Sequence, residues 1–474
     1  MLVCSSAFSC GSKPTSVSDP GTNDPSDSSD STTETQTAES LPPIEKCDNG
    51  GAEFTIYAPD WGLYSNYFFA DAQSGEIMND KIYERRRKTE EQLGITLNHM
   101  LEGSIDDQYE RVKKLVISGS DEFQMFMTHC VTGVGSMLTD GLLFDWNQLK
   151  YADLSKDYWN QSMNELMSLD GKLYYAVSDF MLADPNAILF NKQLIEDLSL
   201  EDPYEIVRSG KWTLEKMTEM SASATKDLNG DSTMDENDRY GFATPSNFLL
   251  SSFYSAAEIE LVSKNAEGRF ELTFYNDRTI GVFEKLDLLM NRSGDAYSYT
   301  NDSKIEKKLT IDTGKALFVP ESLNKLMNYR DSKVDFGILP YPKYDELQKE
   351  YVTNDWSGLM GIPVTVSDPD LVGKVAELLA FYSADTTIPA YYDVVLGDKL
   401  SRDENSKEML DIIYGNIIYD PGLYLFGWGK IMSLYTSIKD VLVIQKNSDL
   451  ASYYKKLESG AKSEIEKFMN NLPE

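Results

Sequence analysis

The sequence predicts an α/β protein of two lobes carried behind an acidic N-terminal tether. Three observations lead there. The chain has 474 residues, more than one hydrophobic core ordinarily organises. From Gly51 onward, short β-branched and aromatic runs alternate with helical patterns, which implies parallel sheet with right-handed crossovers. The residues before it carry neither pattern.

The tether comes first. After the stub Met1–Cys10, the chain is dominated by Ser, Thr, Asp, Glu, Pro and Gly. Such a segment buries too little apolar surface to offset the entropy of ordering it. A cysteine at the head of a tether resembles the mature start of a bacterial lipoprotein, with Cys10 as the lipidation site. Ala7 stands where a strong lipobox carries Leu, and the stub lacks a basic leader, which leaves open a signal start further upstream. A plain tail with an incidental cysteine is the alternative. Nothing after the stub approaches the roughly 20 apolar residues of a membrane helix. Membrane attachment would therefore rest on the N-terminal lipid alone, at the extracellular face of the cell membrane.

A formal charge of −33 repels nucleic acid and bare anionic bilayer, so neither is expected as a partner. Of the four cysteines, Cys4 would leave with the signal. Cys47 and Cys130 either pair or remain separate thiols, Cys130 then being buried beside a strand.

The elements follow in order. Glu53–Ala58 reads as a strand, and 77–93 as a helix stopped by Gly94. Strand 95–101, helix 106–117 and strand 122–128 come next. Within the first helix, the cluster Arg85-Arg86-Arg87-Lys88 sits beside acids, with Glu84–Lys88, Arg86–Glu90 and Arg87–Glu91 at i,i+4, which predicts a solvated helix face rather than a basic patch. A second α/β region opens with strand 187–190; Thr213 caps a helix after Trp212, and 334–339 is a buried-type strand. The last hundred residues read as mostly helical, and no short internal repeat is present.

Several stretches carry a family resemblance. They are Gly171-Lys-Leu-Tyr-Tyr-Ala-Val177, Ala187-Ile-Leu-Phe-Asn-Lys192, Trp212-Thr213, Thr313-Gly-Lys-Ala-Leu-Phe318, Lys333–Pro340, Trp356–Gly361 and the helix 372–382. In this order they resemble the extracellular solute-binding protein family 1 of ABC importers, the branch with the maltodextrin- and oligosaccharide-binding proteins. The resemblance implies the two-lobed periplasmic-binding-protein-like (type II) fold, with discontinuous lobes, a hinge, and a ligand held between the lobes. It implies lobe one over 51–183 plus 354–400 and lobe two over 184–353 with the C-terminal residues 401–474, behind the tether that composition places over 1–50. It also implies delivery of the captured solute to an ABC permease.

Ligands of open parallel sheets bind at the carboxyl ends of strands. Residues at such ends are Asp60, Trp61 and Tyr64, then His129, then Asp184 in the first crossover, Glu321, and Trp356 in the return strand. Tyr424 and Trp428 align with the segment where sugar-binding relatives place a stacking aromatic. Flat aromatic faces cover the apolar side of a pyranose, and carboxylates and amides take its hydroxyls. Each Trp could equally be core; the Gly-rich contexts of Trp61 and Trp428 favour the cleft, whereas Trp146 and Trp159 read as structural.

The segment 227–238 resembles an EF-hand calcium loop. Asp227, Asn229, Asp231, Thr233 and Asp235 occupy alternate positions and Asp238 the twelfth. Ser232 stands where the loop normally has Gly, and Asp238 replaces the usual Glu. A structural Ca²⁺ is the expectation, with a metal-free Asx-rich turn as the alternative.

The chain has two histidines and no G-x-S-x-G, H-E-x-x-H or Walker sequence, so the reading is a non-enzyme that binds a carbohydrate. A secreted carbohydrate-active enzyme using paired carboxylates is the competitor. A binding protein for peptide or polyamine is a further alternative.

Overall fold

Alternation of strand and helix builds two five-stranded sheets of the same design. The computed structural model describes residues 41–60, 62–245, 247–299, 308–329, 331–396 and 404–473. Cys10, the tether to residue 40 and Trp61 lie outside the described residues.

In lobe one the strand order is Ile95–Ser104, Ala52–Asp60, Met125–Thr128, Leu359–Gly361, Tyr175–Ala176. The first three run parallel, and 359–361 is antiparallel to both of its neighbours. In lobe two the order is Ala296–Tyr299, Tyr240–Pro245, Ala316–Ser322, Asn186–Asn191, Phe336–Leu339. Again three strands are parallel, and the fourth is antiparallel to both neighbours. In each sheet that fourth strand is the one that has just crossed from the other lobe. Strands 125–128, 186–191 and 336–339 are buried on both faces, as expected of sheets covered by helices on both sides.

The first helix, Ile77–Leu93, ends at Gly94 in the left-handed region, φ 61°. A side chain there would be strained, and its Cβ would also sit 2.8 Å from the Asp48 Cα. The close approach marks a correction to the tether boundary. Residues 42–50 lie against this helix end: Ile44 is buried, Cys47 N–H donates to Gln92 O at 3.0 Å, and Gln92 Nε2 donates to Ile44 O at 2.7 Å.

The basic cluster on this helix is also corrected in part. Lys88–Glu84, Arg86–Glu90 and Arg87–Glu91 pair as expected. Arg85, however, is buried, its guanidinium 4.5 Å from the Phe180 ring centroid and donating to Ser383, Thr387 and the carbonyls of Tyr67 and Phe68. Burial pushes its pKa down to about 9. With four uncharged acceptors around it, Arg85 ties the helix to the segment after the first strand and to helix Pro369–Asp385. Cys47 and Cys130 are free thiols, so the pairing alternative is not realised.

Trp146 and Trp159 are buried edge to face, 5.6 Å between centroids. Thr213 caps helix Leu214–Ala224 by accepting from Lys216 N–H, while Trp212 Nε1 donates to Pro340 O at 2.9 Å. The C-terminal helix Leu450–Asn470 packs on strand Phe270–Leu272, and Phe468 also approaches Gly135 of lobe one.

Candidate functional site: the cleft beside the crossovers

Two crossover segments run side by side between the sheets. Pro185 bridges Asp355 in antiparallel fashion, and the strand pair Thr353–Asn354 with Ile417–Ile418 adds a third chain. The carboxyl ends of two parallel strands reach this junction: Ser322 Oγ donates to Asp184, and Thr128 pairs with Leu359, three residues past Trp356.

The crossovers are held by carboxylates. Asp184 N–H donates to Asp355 Oδ1 at 2.7 Å, and Ser357 N–H and Oγ also donate to the Asp355 carboxylate. The Asp184 carboxylate accepts from Ser322 Oγ (2.5 Å), Asn324 N–H (3.0 Å) and Asn324 Nδ2 (2.7 Å). Burial raises Asp184 to about 7, and it raises Asp355 as well. Asp184, expected to meet ligand, is thus bound to lobe two from within. Tyr424 is buried and its hydroxyl donates to Asp355 O at 2.8 Å. It braces the crossover instead of presenting a ring to the cleft.

Strand alternation turns Trp356 to the opposite side from Asp355. Its indole lies 5.3 Å from Phe248 and 6.2 Å from Tyr435, and Phe248 lies 5.4 Å from Trp428. Phe248 begins helix Phe248–Ala256, capped by Asn247, directly after strand 240–245. Trp428, between Gly427 and Gly429, is 56% exposed. A cavity of about 360 Å³ adjoins it, walled by Val131, Gly133, Gly135 and Glu464. An aromatic surface therefore spans lobe two, the crossover and the C-terminal segment, and faces the loop after strand 125–128.

The other expected residues fall around it. His129 is half-buried and burial lowers it to about 4, so its imidazole is neutral at ordinary pH. Gln108 clamps the His129 backbone, accepting from its N–H at 2.8 Å and donating to its carbonyl at 3.2 Å. Val131 N–H donates to His129 Nδ1 at 3.4 Å. The histidine thus shapes the loop facing Trp428. Asp60 is exposed at the end of the first strand and accepts from Gly62 N–H at 2.9 Å. Tyr64 belongs to the 3₁₀ turn Gly62–Tyr67; its side chain lies outside the described residues. Glu321 is buried and accepts from Tyr329 Oη at 2.8 Å. Sequence reasoning missed Phe248 and Tyr435. For Phe248 the signal was present: an Asn cap followed at once by an aromatic, behind the apolar run Tyr240-Gly-Phe-Ala243.

In the 227–238 loop the side chains turn to backbone amides. Asp227 accepts from Gly230 and Ser232, Asn229 from Asp231, Asp231 from Thr233, Asp235 from Asn237, and buried Asp238 from Leu228 and Asp235. These amides hold Asp238 below the usual carboxylate range. Ser232, at the position usually Gly, has φ 65°. Among the described residues no group of three or more His, Cys, Asp or Glu stands together as metal ligands.

No family model matches the chain, and no curated protein matches it in sequence. Solved structures do match in shape. UgpB from Mycobacterium tuberculosis, in complex with glycerophosphocholine, is 13% identical with a TM-score of 0.62, over 89% of this chain and 99% of that one. The fold is that of the ABC-importer solute-binding proteins. The Listeria monocytogenes ABC substrate-binding protein Lmo0181, in complex with cycloalternan, is 14% identical with a TM-score of 0.56, over 89% and 99%. A cyclo/maltodextrin-binding protein complexed with maltotetraose is 13% identical with a TM-score of 0.59, over 90% and 100%. In this solute-binding fold the paired crossovers form the hinge, and the aromatic surface lies beside it.

Proposed function

We propose that this chain is the substrate-binding component of an ABC importer, and that it captures a carbohydrate between its lobes for delivery to a permease. The observation that carries the reading is the exposed Trp428 face, continuous with Phe248 and Trp356, beside the hinge of a solute-binding fold. Proteins of this fold were solved with maltotetraose and cycloalternan, and stacking on flat aromatics suits the C–H side of a sugar ring. Closure is driven by contacts that both lobes make only when together. Anchoring through lipidated Cys10 at the extracellular face of the membrane belongs to the same reading, as does lobe one over 51–183 plus 354–400.

We further assign the 227–238 loop a structural Ca²⁺, held by Asp227, Asn229, Asp231, Thr233, Asp235 and Asp238. The left-handed backbone at Ser232 supports it, since that position in a calcium loop needs a positive φ. Calcium should raise the melting temperature, and Asp231→Ala should abolish the rise; no calcium effect would leave an Asx-rich turn.

The test of cargo is a thermal-shift screen against mono- and oligosaccharides, peptides and polyamines. A cleft ligand at a hundred times its Kd adds about 2.7 kcal/mol. A rise with one oligosaccharide class, without product over hours, supports the reading. A rise only with peptide or polyamine overturns the sugar, and consumption of the hit replaces the importer with an enzyme.

A further inference from the structure

On the far side of the crossovers from Trp356 lies a second cavity, partly open to solvent. It holds about 300 Å³ and is lined by Asp157, Asp179, Asp355, Tyr391, Tyr392 and Tyr419, among others. That volume is at the lower end of small-molecule sites. Its chemistry differs from that of the aromatic cleft: three carboxyl groups stand among tyrosine side chains, and no lysine or arginine lines it among the described residues.

Asp179 is the group that calls for a ligand. Its backbone N–H donates to Tyr158 O at 2.9 Å, but among the described residues its carboxylate accepts no hydrogen bond and forms no ion pair. The other carboxylates near the crossovers are satisfied: Asp184 accepts three hydrogen bonds and Asp355 likewise three. Burial alone moves Asp179 upward, to about 7, the behaviour of a carboxyl without a compensating partner. A recessed carboxylate with aromatic faces around it suits an organic cation, whose charge pairs with the acid while its C–H groups lie on the rings.

We propose that this hinge cavity is a second binding site, distinct from the cleft at Trp428, for a small organic ammonium ion held by Asp179. The walls come from the segment leading into the first crossover, from the second crossover and from helix Thr387–Leu396. A bound cation therefore touches the pieces of chain that rotate against one another when the lobes move. Two sites in one molecule that share a hinge affect each other reciprocally.

Calorimetric titration of the full chain with putrescine, and with 1,4-butanediol as its uncharged counterpart, tests the assignment. Putrescine should bind saturably and butanediol should not. Asp179→Asn, which keeps the shape and removes the charge, should weaken putrescine at least tenfold while leaving the protein folded. Trp428→Ala should leave putrescine affinity unchanged. Wild-type affinity should climb between pH 6 and pH 8, as Asp179 loses its proton with Asp157 and Asp355 facing the same space, and the Asn variant should lose most of that climb. Binding abolished by Trp428→Ala and untouched by Asp179→Asn would place putrescine in the cleft and overturn the proposal. Absence of any putrescine binding at pH 8 would overturn it too.

Discussion

Trp356 and Asp355 are neighbours in one crossover segment, yet the sides of the hinge they face have opposite chemistry. Trp356 joins Phe248, Tyr435 and the exposed Trp428 in an aromatic surface. Asp355 turns to the carboxylates and tyrosines of the hinge cavity and fastens the two crossovers to each other. Alternation of side chains along an extended chain is enough to produce this division. On the proposed reading the two sides have separate duties: the polar side holds the crossovers together, and the aromatic side would offer a ligand its surface. Substitutions on the two sides should accordingly fail in different ways.

The largest effect is expected from Asp355→Ala. It strands the Asp184 and Ser357 amides and the Ser357 hydroxyl in a buried position, each of which then lacks its acceptor. Unsatisfied buried donors cost about 1–3 kcal/mol apiece, so urea denaturation should show a loss of about 3 kcal/mol or more. A loss below about 1 kcal/mol would mean the crossovers do not depend on this carboxylate.

Trp428→Ala should behave in reverse. The indole is more than half exposed, so stability should change by less than about 1 kcal/mol. A central aromatic anchor contributes about 2 kcal/mol to binding, so affinity for the cleft sugar should fall ~30-fold by calorimetry. Loss of stability with affinity intact would exchange the roles of the two sides.

A smaller effect concerns pH. Burial raises Asp179, Asp184 and Asp420 to about 7 each in the folded chain, above the ordinary aspartate value of about 4. Between those values the folded chain holds protons that the unfolded chain has released. These groups therefore favour folding fully at the acid end, and their contribution fades as pH rises through about 7. Stability should decline from pH 5 to pH 7.5. Asp179→Asn should flatten the decline, since it removes a titrating group that has no hydrogen-bond acceptor role to lose; an unchanged slope would deny Asp179 its share.

Much of the architecture was legible because it is local. The helix over 77–93 and its Gly94 stop, the Thr213 cap and the parallel strands of lobe one all follow from periodicity and capping chemistry. Long-range relations were less so. Arg85 resembles its charged neighbours in sequence, and its burial depends on Ser383 and Thr387, some 300 residues away. Composition placed 42–50 in the tether, whereas Ile44 finds its partners on a helix beginning at residue 77. The exposure of Trp428 was legible from its glycine flanks. Tyr424, four residues earlier, carries the same aromatic signal but is buried against the return crossover. Phe248 needed the C-terminal end of strand 240–245 to be recognised first.

The most direct measurement of the account is small-angle scattering of the full chain, free and with the oligosaccharide that gives the largest melting shift, in wild type and Trp428→Ala. A ligand gripped between two lobes beside the hinge should reduce the wild-type radius of gyration, and Trp428→Ala should need at least tenfold more sugar for the same change. Saturating sugar that binds with no compaction, or compaction that is indifferent to Trp428, would contradict the placement of the cargo between the lobes.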